Sequence, residues 1–194
     1  MYNLANQLTL FRILLIPLLV IIFYLPYEWR FLVCAALFSV AGLTDWADGY
    51  IARKYQLSTP FGAFLDPVAD KLMVAVALGL LIELHGSPFF TLPAVVIICR
   101  EIVISALREW MAEIGARATV AVSMIGKVKT TLQIIAIIVL LAFNPANYPV
   151  MKIVGLIALY IAAILTLWSM IVYLKAAWPN FKQGAENSNK PIKK

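Results

Sequence analysis

The sequence predicts an all-α integral membrane protein with six transmembrane helices, and three observations support this fold class. First, 63% of the 194 residues are hydrophobic, the mean hydropathy is +0.89 and only 13% are charged, whereas about a quarter of a soluble domain is charged. Second, apolar runs long enough to span a bilayer recur along the chain. Third, all four aspartates fall within residues 45–70, between or inside those runs.

The apolar runs predict the six helices in order, each ending at a polar or proline-containing turn. The first ends near residue 24, and the others cover residues 30–52, 61–84, 92–113, 120–143 and 150–177. We expect residues 1–177 to form one transmembrane catalytic domain. The polar segment 178–194 is predicted to be a disordered cytoplasmic tail.

The distribution of basic residues predicts the orientation in the membrane. Six helices place both termini on one side, and fourteen of the sixteen lysines and arginines lie on that side. Only Arg30 and Lys152 lie on the other side. By the positive-inside rule, both termini are therefore cytoplasmic. The net charge of +6 suits an anionic lipid surface, and we expect no nucleic-acid partner.

The four aspartates form two pairs with helical spacing. Asp45 and Asp48 are i, i+3, and Asp66 and Asp70 are i, i+4, so each pair shares one helical face. An aspartate at the centre of a membrane helix costs roughly 2.5 to 3.5 kcal/mol, so such residues usually mark a functional site. Paired carboxylates suit hard divalent cations. We therefore predict a site for one or two Mg²⁺ or Mn²⁺ ions.

Depth along the helices brings these pairs to one level. Asp45 lies sixteen residues from Trp29, and Asp70 lies sixteen from Gly86, which places both roughly 24 Å from the far side. Three basic residues fall near this level or beyond it on the same side: Arg12, Arg108 and Lys127. Divalent cations beside convergent basic groups are suited to phosphate chemistry. The residues alone thus predict metal-dependent transfer on a phosphorylated lipid.

A longer pattern then carries a family resemblance. The run Asp45-x-x-Asp48-Gly49-x-x-Ala52-Arg53, followed after eight residues by Gly62-x-x-x-Asp66-x-x-x-Asp70, resembles the CDP-alcohol phosphatidyltransferase signature at every fixed position. The resemblance implies a six-helix membrane fold, commonly homodimeric, with a divalent-metal site in its cytoplasmic half. It also implies that an acceptor hydroxyl attacks the β-phosphorus of a CDP-linked donor and that CMP leaves.

The resemblance implies roles for individual residues. Asp45, Asp48 and Asp66 match the family's metal ligands. Asp70 is implied to be a further ligand and the general base, with two ions bound. The positions implied to bind the CDP moiety are Gly49, Ala52, Arg53 and Gly62.

Three other segments indicate the acceptor. In these segments the chain resembles bacterial members of the family that transfer the phosphatidyl group of CDP-diacylglycerol to glycerol 3-phosphate. The segments are NQLTLFR, REIVISALREWMAE and GKVKTTLQ. This resemblance implies a protein of the bacterial inner membrane. An acceptor with its own phosphate needs further cations. Four are predicted to bind it: Arg108, Arg117, Lys127 and Lys129.

Other interpretations stay open at this point. A related enzyme would use serine, inositol phosphate or phosphatidylglycerol as acceptor, although serine has no phosphate for the four cations to bind. A cation transporter is a different class, but it would need ionisable groups across the whole depth of the membrane. The predicted acceptor cations would alternatively form only a basic cytoplasmic rim.

Overall fold

The computed structural model describes the backbone of residues 4–55, 60–113 and 124–188, and their side chains apart from residues 4–6, 46–55, 60, 61, 63, 64, 113, 124–127, 176 and 179–188. These residues form six α-helices and no β-strand. The helices are α1 (Leu4–Phe23), α2 (Arg30–Tyr55), α3 (Pro60–His85), α4 (Pro88–Glu113), α5 (Met124–Ala142) and α6 (Pro149–Ser188). The predicted all-helical class is confirmed.

Two of the described helices contain segments that are long and apolar enough to cross a membrane. These segments are Pro88–Ala112 in α4 and Pro149–Lys175 in α6. Two shorter apolar segments, Gln7–Phe23 and Val128–Ala142, occupy α1 and α5. The helices α2 and α3 carry the four aspartates.

Most observed helix ends lie within a few residues of the predicted ends. The largest shift at a described N-terminus is in α4, which begins at Pro88 and not at residue 92. Proline is favoured at the first helical position, and the preceding Ser87 is a common capping residue. Gly86, with φ of 53°, ends α3, and its amide donates to the carbonyl of Ile82 at 3.0 Å. The predicted start of the fifth helix lies outside the described residues.

The C-terminal segment differs from the prediction. Residues 178–188 continue α6 as far as Ser188, where the sequence predicted a disordered tail. Extending an existing helix costs much less than nucleating one, and Lys182, Gln183, Ala185 and Glu186 are good helix formers. Polarity was therefore the wrong indicator for this segment. Residues 189–194 lie outside the described part of the chain.

The main hydrophobic core lies at one end of the bundle. It is built from the C-terminal halves of α1, α3 and α5 and from the N-terminal halves of α2, α4 and α6. The helices α5 and α6 pack most extensively. They are in close contact at Gly155, where an added Cβ would lie 2.6 Å from Cγ of Leu140. The opposite halves of the helices, which carry the aspartates, meet at the other end.

Candidate active site

Helix α1 contacts two of the signature aspartates. Nη1 of Arg12 lies 3.0 Å from Oδ1 of Asp45 in α2. The hydroxyl of Thr9 donates a hydrogen bond to Asp66 in α3. Thr9 and Arg12 are three residues apart and so project from one face of α1. One buried helical face thus orients carboxylates from two other helices.

The ion pair between Arg12 and Asp45 is asymmetric in its burial. The Arg12 side chain is 1% exposed, whereas that of Asp45 is 46% exposed. A buried guanidinium needs a carboxylate partner, because an uncompensated charge is costly in a low-dielectric environment. Asp45 provides this partner while nearly half of its surface stays accessible to a ligand.

A cavity of about 220 Å³ lies between α3, α4, α5 and α6. Its ionisable lining, among the described residues, consists of Lys71, Arg100, Arg108, Lys129, Asp70 and Glu101. Four cations thus face two carboxylates, a formal excess of two positive charges. A cavity with this charge balance is suited to a dianion such as a phosphate monoester.

Asp70 connects the signature aspartates to this cavity. It follows Asp66 by one helical turn in α3, lines the cavity and is exposed. Its carboxylate is also within electrostatic range of Asp45 and Arg12. An ionisable group in a membrane helix is tolerated where it faces a wet cavity. Asp70 is therefore placed to act on a molecule bound in the cavity.

Glu101 joins two buried cations at the cavity wall. Its Oε1 accepts hydrogen bonds from Nη1 of Arg100 at 2.8 Å and from Nζ of Lys129 at 3.2 Å. The two cations are 8% and 4% exposed, and Glu101 is 28% exposed. Nη2 of Arg100 also donates to the hydroxyl of Ser169 at 2.9 Å. One carboxylate therefore holds cations from α4 and α5 in fixed positions.

Arg108 lies at the more exposed side of the cavity. Its Nη2 donates to the hydroxyl of Tyr173 at 3.0 Å, and its Cζ lies 5.4 Å from the centroid of that ring. Hydrogen bonding and cation–π attraction together orient the guanidinium. Nearby, Lys71 donates to the hydroxyl of Ser105. These contacts hold two further cations along the cavity wall.

The structure describes the side chains of three of the four predicted metal ligands. Asp45, Asp66 and Asp70 are described, whereas the side chain of Asp48 is not. The described part of the chain contains no group of three acidic, histidine or cysteine side chains that would hold a metal ion. The carboxylate of Asp45 in α2 is nevertheless close enough to that of Asp70 in α3 for electrostatic interaction. Two such carboxylates supply the oxygen ligands that hard divalent cations prefer.

The structure brings together three of the residues predicted for the reaction and its acceptor: Asp70, Arg108 and Lys129 line one cavity. Gly62 is buried near the start of α3. The other predicted substrate-binding residues lie outside the described side chains. They are Gly49, Ala52, Arg53, Arg117 and Lys127.

Sequence reasoning did not identify several residues of this cavity. Glu101 had a detectable signal, because an ionisable residue in a membrane helix usually faces a cavity or a partner. Gln133 also had one, since it follows Lys129 by four residues on the same face of α5. No feature of the sequence identified Ser169 and Tyr173 of α6, because a single polar residue in an apolar helix does not reveal which neighbour it faces.

Comparisons with known proteins agree with the resemblance in the signature. A sequence model described as CDP-alcohol phosphatidyltransferase matches residues 2–168. A protein of Pectobacterium atrosepticum named CDP-diacylglycerol–glycerol-3-phosphate 3-phosphatidyltransferase is 57% identical over 176 residues, which cover 91% of this chain and 95% of that protein. A protein of the same name from Pseudomonas fluorescens is 54% identical over 181 residues, which cover 93% and 92% of the two chains.

Proposed function

The chain belongs to the CDP-alcohol phosphatidyltransferase family, and we propose that it is a phosphatidylglycerophosphate synthase. It transfers the phosphatidyl group of CDP-diacylglycerol to glycerol 3-phosphate, with CMP as the second product. This is the reaction in the names of relatives that match nearly the whole chain. The prediction from the sequence and the names of these relatives agree.

The cavity beside Asp70 is the structural observation that carries the choice of acceptor. Its formal excess of two positive charges matches the two negative charges of a phosphate monoester. Serine would bring no phosphate to this lining. In our proposal Arg108 and Lys129 bind the acceptor phosphate, and Arg117 and Lys127 extend the same basic surface.

We assign the proton transfer to Asp70. The acceptor hydroxyl oxygen forms a bond to the β-phosphorus of the donor, and the bond from that phosphorus to the CMP oxygen breaks. Asp70 takes the proton of the hydroxyl, and CMP leaves with the bonding electrons. The exposure of Asp70 in the cavity supports this role, because a general base must reach its substrate.

The donor side of the site is assigned from the signature. The family is in general dependent on divalent metal ions. Asp45, Asp48, Asp66 and Asp70 would hold Mg²⁺ or Mn²⁺, in our proposal two ions, which would neutralise charge on the donor phosphates. The CDP moiety would lie against Gly49, Ala52, Arg53 and Gly62. Thr9 and Arg12 support this arrangement by orienting Asp66 and Asp45.

The proposed setting is the bacterial inner membrane. The chain is a membrane protein, and we propose that its six helices span the bilayer with both termini in the cytoplasm. The basic residues on that side support this orientation. The cavity would then open to cytoplasmic glycerol 3-phosphate. We further propose that the protein is a homodimer, as is common in the family.

Incorporation of labelled glycerol 3-phosphate into lipid tests the proposal. Purified protein with CDP-diacylglycerol and Mg²⁺ should form labelled lipid and release an equal amount of CMP. Chelation with EDTA should stop the reaction, and added Mg²⁺ should restore it. Serine, inositol phosphate and phosphatidylglycerol are the matched acceptors, and a higher kcat/KM for any of them would refute the acceptor assignment. Turnover after complete chelation would refute the metal site.

A further inference from the structure

Gln133 stands out among the polar residues of the cavity. It lines the cavity, and its side chain is 4% exposed. Its Oε1 is buried and has no hydrogen-bond partner among the described residues. Buried amide oxygens are nearly always satisfied by a donor in the protein, in bound water or in a ligand. An unsatisfied acceptor at the wall of a binding cavity therefore points to a donor that arrives with the substrate.

Two neighbouring cations donate hydrogen bonds to other acceptors. Lys129, one helical turn before Gln133 on α5, donates to Glu101. The two terminal nitrogens of Arg100 donate to Glu101 and Ser169. None of these hydrogen bonds is to Gln133, whose Oε1 stays an acceptor without a partner among the described residues.

The proposed acceptor molecule carries the complementary donor. Glycerol 3-phosphate has two hydroxyls, of which one attacks the donor lipid. Its phosphate is matched by the cations of the cavity, so only the second hydroxyl still needs a hydrogen-bond acceptor. A neutral amide oxygen can meet this need without changing the charge balance of the cavity.

We propose that Gln133 is a specificity-determining residue that accepts a hydrogen bond from the non-reacting hydroxyl of the acceptor. This inference rests on the proposed function and deepens it. It predicts that the site selects a phosphate monoester with a second hydroxyl over one without it. A buried polar group left unpaired by the wrong substrate is an effective source of discrimination.

The test compares two acceptors that differ only at that hydroxyl. Glycerol 3-phosphate and 3-hydroxypropyl phosphate share the phosphate and the primary hydroxyl, and only the first has the second hydroxyl. For the wild-type protein, kcat/KM should be about 10- to 100-fold higher with glycerol 3-phosphate. Equal use of the two acceptors by the wild-type protein would overturn the assignment without any variant.

Two variants locate the discrimination at Gln133. Gln133→Met has a similar length and no amide, so it should lower kcat/KM for glycerol 3-phosphate about tenfold or more and leave 3-hydroxypropyl phosphate within about twofold. Ile134→Val is the control, because this neighbour lines the same cavity without a polar group. It should change both acceptors equally. The KM for CDP-diacylglycerol should stay constant in both variants.

The possible outcomes separate the rival roles. If Gln133→Met reduces the use of both acceptors equally, Gln133 holds a structural water or supports the fold, and the assignment is wrong. Should Gln133→Met fail to fold, Gln133→Asn, which retracts the amide by one methylene, must still lower the preference for glycerol 3-phosphate. Absence of turnover by the wild-type protein with both acceptors would instead refute the proposed function, and this assignment with it.

Discussion

The two ends of the helix bundle are built on different principles. At the apolar end, which contains the main core, side chains such as Leu78, Leu81 and Ile137 are completely buried against other apolar groups. At the polar end, which contains the cavity, Arg12, Arg100 and Lys129 are more than nine-tenths buried. The apolar end is stabilised by close packing, whereas the polar end also depends on pairing of charges.

At the polar end, some carboxylates pair with buried cations, whereas another faces the cavity. Asp45 and Glu101 are ion-paired with buried cations. Asp70 is exposed in the cavity and forms no ion pair with another described residue. Carboxylates at the same end of the bundle therefore have different environments, and that of Asp70 leaves it available for a substrate in the cavity.

The largest expected effect is a loss of activity at the polar end, and it tests whether the reaction occurs there. Asp70→Asn removes the proposed base, so CMP release should fall by about 10²- to 10⁴-fold. The variant should unfold at the same temperature as the wild-type protein, because Asp70 is exposed. Leu72→Val, a change at an exposed apolar residue of the same helix, is the control and should keep full activity. Normal turnover by Asp70→Asn would refute the role of this residue.

The next effect tests whether charge pairing stabilises the polar end. Glu101→Gln leaves the buried cations Arg100 and Lys129 without their carboxylate, so the free energy of unfolding should fall by about 3 kcal/mol. Glu109→Gln, at an exposed position of the same helix, should change it by less than about 0.5 kcal/mol. Denaturant unfolding in detergent measures both. If Glu101→Gln had the same free energy of unfolding as the wild-type protein, the ion pairs at the cavity wall would not stabilise the fold.

A smaller effect tests the packing of the apolar end. In Gly155→Ala the new methyl group would lie 2.6 Å from Cγ of Leu140, so unfolding free energy should fall by about 2 kcal/mol. At Gly79 an added Cβ meets no atom within 4 Å. Gly79→Ala should therefore be neutral or stabilising by up to about 1 kcal/mol. Both variants should keep the wild-type kcat per folded molecule, and a selective loss of kcat would contradict the division between the two ends.

The smallest expected effect concerns substrate affinity. Arg108→Ala removes one exposed cation of the cavity, so the KM for glycerol 3-phosphate should rise about tenfold, equivalent to about 1.4 kcal/mol. The KM for CDP-diacylglycerol should not change. Lys175→Ala removes an exposed cation of α6 outside the cavity lining and serves as the control. A change only in the KM for the lipid donor would place Arg108 on the donor side.

Much of the fold was predictable because the physical signals are local. Apolar runs interrupted by polar turns indicate helices wherever they pack, and all six predicted helices have an observed counterpart. The prediction was wrong for residues 178–188, where a polar segment continues α6. Polarity reports solvent exposure, but helix continuation depends on propensity and on the helix already formed.

The candidate site was predictable in its residue types and less so in its contacts. Spacing placed Asp66 and Asp70 on one face of a helix, and depth placed Asp45 at the same level. Neither could show that Thr9 donates to Asp66 or that Glu101 joins Arg100 to Lys129. Such contacts depend on the rotation and approach of separate helices, which spacing within one helix does not determine.

The amino-acid sequence by itself determined that this chain is an apolar bundle of helices with four aspartates in a phosphatidyltransferase signature. These properties follow from composition and from periodicity along single helices. Only the tertiary structure decided that Asp70 faces a cavity with excess positive charge and that Gln133 presents there an oxygen with no hydrogen-bond partner among the described residues. The reason is that burial and pairing of a side chain are properties of the packed neighbours, which come from distant parts of the chain.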